Sequence, residues 1–146
     1  MNNLVRDDAI ILALRNKGFR VTPQRLEISK IILLHKNHPS AEDIYDEVKR
    51  IHPALSLSTV YNTLNILDEL DIIQELAFSD KPSRFDNNTE LHINMVCKNC
   101  GKIYDIRNKE LKDIIQKLAN RENFTLTGQR FDVFGICKSC NFSLGG

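Results

Sequence analysis

The chain has 146 residues, 42% of them hydrophobic and 27% charged, with a formal net charge of +1. That composition suits a globular chain of one domain or two small ones with a real core, and it excludes a disordered or uniformly basic protein. No apolar run approaches the roughly 20 residues of a membrane span, and acids stand in MNNLVRDDAI where a signal peptide would be basic. A cytoplasmic location is therefore expected, where paired cysteines favour metal over disulfide.

Charge is unevenly spread. Residues 1–36 hold seven Lys or Arg against three acids, whereas residues 40–80 hold Lys49 and Arg50 against nine acids. A basic patch confined to the first helices is a modest electrostatic footprint for nucleic acid.

In chain order, the first helix is expected over about residues 4–17, with Ile10, Ile11 and Leu14 as apolar positions and Gly18 as its stop. VTPQR starts a second helix, with Thr22 as N-cap and Pro23 at the first helical position. Ile28, Ile31, Ile32 and Leu34 are expected on its buried side. Ser40 caps a third helix, AEDIYDEVKR, whose first-turn acids and last-turn bases complement the dipole. Ser56 or Ser58 opens a fourth, LSTVYNTLNILDELD, in which Val60, Leu64 and Leu67 recur at helical spacing. Ser58, Thr59, Asn62, Thr63 and Asn65 lie off that stripe, as small polar groups able to reach base edges or phosphates; Tyr61 can stack on DNA or pack within the bundle.

IIQELAF and SRFD, separated by SDKP, read as a β-hairpin. Helices followed by a two-stranded hairpin have the layout of a winged helix-turn-helix, the alternative being a plain helical domain with a solvated polar face. Beyond it, INMVC and KIYDI read as strands and NKELKDIIQKLANRE as a helix with Leu111, Ile114, Ile115 and Leu118 on one side. FTLTGQRFDVFGIC reads as a longer strand or hairpin. The expected class is α/β (α+β), with domains at 1–84 and 85–146. One helix against a three-stranded sheet is small for a stable unit, and zinc at the sheet edge and pairing with a second copy would both help it.

Two CxxC pairs, Cys97 with Cys100 and Cys137 with Cys140, can supply a closed tetrahedral shell for zinc, a structural and not a catalytic arrangement. Two disulfides, four unconnected thiols or a thioredoxin-like redox pair are the alternatives. Asp86, His92, Asn94 and Asp105 form a second, harder donor set suited to iron, manganese or zinc. On a strand, His92 and Asn94 face the same side.

VTPQR, HPSAEDIY, LSTVYNTL, SRFD, CKNCGKIYD and the closing CKSC together resemble, in order and spacing, the ferric uptake regulator family of metal-dependent repressors along nearly the whole chain. The resemblance implies a homodimer with an N-terminal winged-helix DNA-binding domain, a C-terminal α/β dimerisation domain, structural Zn2+ on the four cysteines, and a palindromic operator as partner. It also implies a regulatory Fe2+ or Mn2+ site of His38, Asp86, His92, Asn94 and Asp105, completed only in one interdomain arrangement. Lys17, Arg20, Gln24, Arg25, Ser58, Thr59, Tyr61, Asn62 and Asn65 are the implied DNA-contacting residues.

Asp105 stands where iron-sensing relatives usually carry glutamate, a mark of the family's peroxide-sensing branch. In that branch, iron-catalysed oxidation of a ligating histidine releases DNA, which points to His38 and His92 as oxidation-sensitive. Two departures stand out. Asn94 replaces a histidine usual in the branch, and no Lys or Arg occurs between Arg50 and Lys81, leaving phosphate anchoring to Lys17, Arg20, Arg25 and the wing residues Lys81 or Arg84. His35 and His52 fall outside the motifs, as surface or helix-end residues. A regulator answering to iron, manganese or zinc level alone is the sibling reading. A zinc-dependent hydrolase using His92 and Asp105 is the distant one, and the sequence offers it no activated nucleophile.

Overall fold

The structure, a computed structural model, describes residues 3–144. The chain forms two compact units, Met1–Thr89 and Glu90–Gly146.

The first unit contains α1 (Asn3–Asn16), α2 (Pro23–Leu34), α3 (Ala41–Lys49), α4 (Leu57–Glu69), β1 (Gln74–Leu76) and β2 (Arg84–Asp86). The helices α2, α3 and α4 each start where a short polar side chain can take an orphan backbone N–H. Thr22 accepts from Arg25, Ser56 from Thr59, and Ser40 forms a reciprocal capping box with Asp43. Gly18, at φ +78°, takes the left-handed turn that ends α1. β1 and β2 pair antiparallel with Glu75 opposite Phe85, giving the expected wing.

The core follows the helical stripes. Ile28 and Ile32 of α2, Ile44 and Val48 of α3, and Val60, Leu64 and Leu67 of α4 pack with Leu55, Ile73 and Phe85. Ile10, Leu14 and Ile66 form a second cluster with Phe19, Val21, Leu26, Leu33 and Leu70. Leu34 departs from expectation at 59% exposed, and Ile31 is only partly buried. Six residues beyond Ile28, Leu34 has rotated about 240° round the helix axis and leaves the buried face. Thr63 is corrected the other way: it is fully buried, and its hydroxyl donates to the Thr59 carbonyl at 2.8 Å, so it cannot reach out to a base.

The division falls after Thr89 and not at 84/85, because β2 carries Phe85 into the first core and donates its N–H to the Pro39 carbonyl. Asp86 and Asn87 therefore belong to the first unit. The Asn87 amide donates to carbonyls at the end of α2, at 2.9 Å from Ile32 and 2.7 Å from His35, satisfying acceptors that the helix leaves open.

The second unit contains β3 (Ile93–Cys97), β4 (Ile103–Ile106), α5 (Lys109–Arg121), β5 (Phe131–Gly135) and α6 (Lys138–Leu144). The sheet order is β4-β3-β5, with β4 antiparallel and β5 parallel to β3. The segment after α5 is thus one strand that lies beside β3, with residues 124–130 leading into it, and not a hairpin. The helix α6, which starts inside the second CxxC and carries Cys140, was not expected from the sequence. Directly paired residues share a face. One face carries the row Ile106, Ile93 and Phe131 and the row Tyr104, Met95 and Val133; the other carries the row Asp105, Asn94 and Asp132. Of α5's apolar residues, Ile114 and Leu118 are 54% and 45% exposed, while Ala119 is buried.

If α4 is packed as described, Leu64→Ala should cost about 2–5 kcal/mol, and Leu34→Ala about 0.5 kcal/mol or less. Urea unfolding followed by circular dichroism measures both, and equal losses would contradict the assignment of the two faces.

Candidate functional site

Two kinds of donor cluster are present. In the second unit, the Cys97–Cys100 knuckle turns at Gly101, at φ +77°, whose N–H donates to the Cys97 carbonyl at 2.9 Å. Strand β5 delivers the chain to Cys137, and the first turn of α6 places Cys140 one helical turn on. All four cysteines are free, and their sulfurs lie within 4.8 Å of one another. Tetrahedral zinc with bonds of about 2.3 Å sets neighbouring sulfurs about 3.8 Å apart; Cys100 and Cys137 Sγ are separated by 3.8 Å. Backbone donors favour two of the thiolates: the Cys100 and Cys137 N–H groups hold the Cys97 thiol down at about 6, and the Cys140 N–H lowers that of Cys137, whereas Cys140, beside the other sulfurs, is pushed up to about 11. The disulfide and redox-pair alternatives do not fit four sulfurs gathered round one point.

The harder donors form a pair in each unit. In the first, His38 precedes α3 and Asp86 ends β2; His38 Nε2 lies 3.6 Å from Asp86 Oδ2, and both side chains are at most 8% exposed. Arg84 donates from Nε to the His38 carbonyl, which ties the wing to the histidine's backbone and uses one of the five N–H donors of a guanidinium expected at phosphate. In the second unit, His92 Nε2 lies 3.7 Å from Asp105 Oδ1. The His92 Nδ1 position is 2.7 Å from the Glu90 carbonyl, which can only accept, so Nδ1 carries a proton and, in the neutral ring, Nε2 is the nitrogen with the lone pair. Both separations exceed a hydrogen bond. They approach the span of about 3.0–3.5 Å that two donors present when each is about 2.1 Å from one ion.

Asn94 gives the sharpest test of fit for a metal. It is 1% exposed, and its Oδ1 has no hydrogen-bond partner among the described residues. A buried amide oxygen left this way costs about 1–3 kcal/mol unless a ligand takes it. Its Nδ2 donates to Asp132 Oδ1 at 3.1 Å, and Asp132 Oδ2 is 2.6 Å from Arg130 Nη2. Sequence reasoning missed Asp132 and Arg130; the alternation through RFDVF carried the signal, but nothing said that β5 would lie against β3.

In the first unit, α4 turns Ser58, Tyr61, Asn62 and Asn65 to solvent, opposite Val60, Leu64 and Leu67. Tyr61 is 39% exposed, so it does not pack in the bundle. Its hydroxyl donates to Glu42 at 2.7 Å, which pushes the phenol's pKa up. Thr59 is half-buried and shares a 2.9 Å hydroxyl contact with Ser56. Lys17 and Arg20 are exposed, whereas Gln24 and Arg25 are partly buried and Arg25 Nη1 donates to the Arg20 carbonyl. His35 caps α2 and meets Glu47 at 2.8 Å, and His52 is a helix-end residue, as expected of both. Among the described residues, no helix is long and apolar enough to cross a membrane.

Residues 16–134 match the Ferric uptake regulator family. The chain belongs to that family.

Peroxide-responsive repressors PerR of Staphylococcus saprophyticus and Staphylococcus aureus are 37% and 36% identical to it, over 89% of this chain and 88% of theirs. Among solved structures, the Vibrio cholerae ferric uptake regulator superposes with a TM-score of 0.67 at 29% identity, covering 86% of this chain and 98% of that one. PerR from Streptococcus pyogenes superposes at 0.52 with 31% identity, covering 92% of each chain. The Helicobacter pylori regulator shares the fold, with a TM-score of 0.79 at 23% identity over 96% of this chain and 95% of that one. The α+β architecture of a winged helix-turn-helix followed by a small α/β unit is thus the family's.

The cysteine geometry has a direct consequence for the family member. Cys97→Ser should lose its tightly held metal on desalting, whereas His92→Ala should retain it, as read by elemental analysis per chain. Full retention in Cys97→Ser would rule out a four-sulfur shell.

Proposed function

We propose that this protein is a metal-dependent, DNA-binding repressor that acts as a homodimer and senses hydrogen peroxide through iron-catalysed oxidation of a ligating histidine. The observation that carries the reading is the hard donor set, buried but for Asp105: an Asn94 oxygen with no hydrogen bond among the described residues, and two His–Asp pairs held just beyond hydrogen-bond length. We assign Zn2+ to Cys97, Cys100, Cys137 and Cys140. The regulatory ion, Fe2+ or Mn2+, takes His38, Asp86, His92, Asn94 and Asp105. That shell has two nitrogens and three oxygens, which favours these ions over a thiolate-seeking one.

Each residue has a task in this scheme. Asp86 and Asp105 supply charge, and Asn94 supplies a neutral oxygen. His92, with its proton fixed on Nδ1, offers Nε2. Donors from two folding units make the site complete in only one arrangement, so metal selects that arrangement by differential affinity. Fe2+ held by these residues would supply the electrons that cleave peroxide, and His38 and His92 are the imidazoles in the assigned set that would gain the oxygen. The protein is consumed by its signal, and is a sensor and not an enzyme.

Homodimerisation is supported by the sheet face of Ile106, Met95, Phe131 and Val133, each 39–46% exposed, and by the exposed Ile114 and Leu118 of α5. A small unit with this much uncovered apolar area is completed by a second copy. Twofold symmetry then presents two α4 helices to a palindromic operator. Ser58, Tyr61, Asn62 and Asn65 face the bases, Thr59 lies near the helix start, and Lys17, Arg20, Gln24 and Arg25 approach phosphate. The compartment that fits such a partner is the cytoplasm. A regulator of metal level alone is the second reading, favoured by the structural likeness to the Vibrio cholerae ferric uptake regulator.

Operator binding with Mn2+ and with Fe2+, before and after a small excess of peroxide, separates the two readings when intact mass is measured on the same samples. The expected result is loss of binding in the iron form alone, with a gain of one oxygen atom on His38 or His92. Equal behaviour of both forms would leave the metal-level reading. With no basic residue in α4, the slope of log K against log salt should be shallower than about −8, and a fluorescence-anisotropy salt series measures it.

A further inference from the structure

The row of paired residues across the second unit's sheet holds a group that the regulatory site as assigned does not use. Asp105, Asn94 and Asp132 are register partners on β4, β3 and β5, so their side chains share one face. Asp105 and Asn94 belong to the donor set; Asp132 does not. An ionised carboxylate only accepts hydrogen bonds. Asp132 receives the Asn94 Nδ2 at 3.1 Å on one oxygen and Arg130 Nη2 at 2.6 Å on the other.

A carboxamide has two nearly isosteric ends, and only the oxygen can ligate a cation. Rotation of the Asn94 amide by 180° would turn its N–H groups toward the ion and its oxygen against the Asp132 carboxylate, an acceptor facing an acceptor. Asp132 therefore penalises the non-ligating orientation, and the outcome is visible in the oxygen left without a hydrogen bond. Arg130 completes the device. It holds the carboxylate in place and offsets the cost of a partly buried charge, Asp132's side chain being 14% exposed. Metal-ligating side chains are commonly oriented in this way by a partner behind them.

We infer that Asp132, braced by Arg130, is a positioning residue that fixes the Asn94 amide with its oxygen toward the regulatory ion. The inference rests on the proposed regulatory site. It is specific to an amide ligand: a carboxylate at position 94 would face Asp132 with like charge, so the pair also sets which residue can stand there.

The test uses the full-length, zinc-loaded protein and Mn2+ alone as probe. Mn2+ affinity is measured for the wild type, Asn94→Ala, Asp132→Ala and the double variant, with Arg130→Met as a milder second perturbation. Asp132→Ala should weaken Mn2+ binding about 10–100-fold, and the double variant should be no weaker than Asn94→Ala, because the two act as one unit. Without added Mn2+, the Asn94 side-chain amide protons should exchange slowly with solvent in the wild type. They should exchange faster in Asp132→Ala and, to a smaller degree, in Arg130→Met, with zinc content and melting unchanged. Additive losses, or amide exchange indifferent to Asp132, would overturn the positioning role while leaving the metal site standing. Mn2+ affinity unchanged in Asn94→Ala would instead remove the site assignment on which the inference rests. If Asp132→Ala fails to fold, the exchange and affinity of Arg130→Met decide the matter alone.

Discussion

The constraint on which the second unit depends is strand register. Antiparallel β4 and parallel β5 flank β3 so that each directly paired row carries a single chemical character. A shift by one residue would interchange the faces, sending Asn94 and His92 to the side of Met95 and Ile93. Asn94 and His92 are buried while Met95 is 43% exposed, the reverse of an isolated sheet's usual economy. Polar groups buried in this way need partners. The Glu90 carbonyl and Asp132 provide some, and the Asn94 oxygen is held back for something else.

The first unit solves a simpler problem. Its helices bury aliphatic stripes against Phe85, and its caps are local, each read within four residues of sequence. The same packing sets two functional faces. It exposes one side of α4 by burying the other, and it draws the chain after β2 back against the end of α2 through Asn87. Asp86 is therefore anchored on both sides, by the Phe85 core contact before it and by the Asn87 amide after it. A side chain fixed in that way has little conformational freedom left to lose.

The two clusters of donors differ in the work they do. Four sulfurs on a knuckle, a strand exit and a helix turn hold the second unit's sheet edge to its last helix, in a unit whose buried apolar residues are Val96, Cys97, Ala119 and Cys140. Such a cluster is closed, and its softness keeps it apart from the nitrogen and oxygen set. The hard donors are few and split between pairs, with His38, Asp86, His92 and Asn94 buried and Asp105 exposed.

Much of this was legible in the chain itself. The caps at Thr22, Ser40 and Ser56, the α4 stripe, the wing and the two CxxC pairs are short-range patterns, fixed by helical period, hydrogen-bonding chemistry and ligand spacing. Local rules failed where a residue's fate depended on what lay across from it. Leu34 carried the right hydrophobicity on the wrong side of its helix, Thr63 turned its hydroxyl back to its own backbone, and the boundary moved to Thr89 because Phe85 had a core to enter. The segment after α5 could have paired with itself, and only its parallel seat beside β3 brought Asp132 to Asn94 across 38 residues of sequence. Sequence thus determined the donors and the elements that carry them; tertiary pairing decided which donors meet and which end of Asn94 is held by Asp132, because hydrogen-bond partners across strands have no local signature.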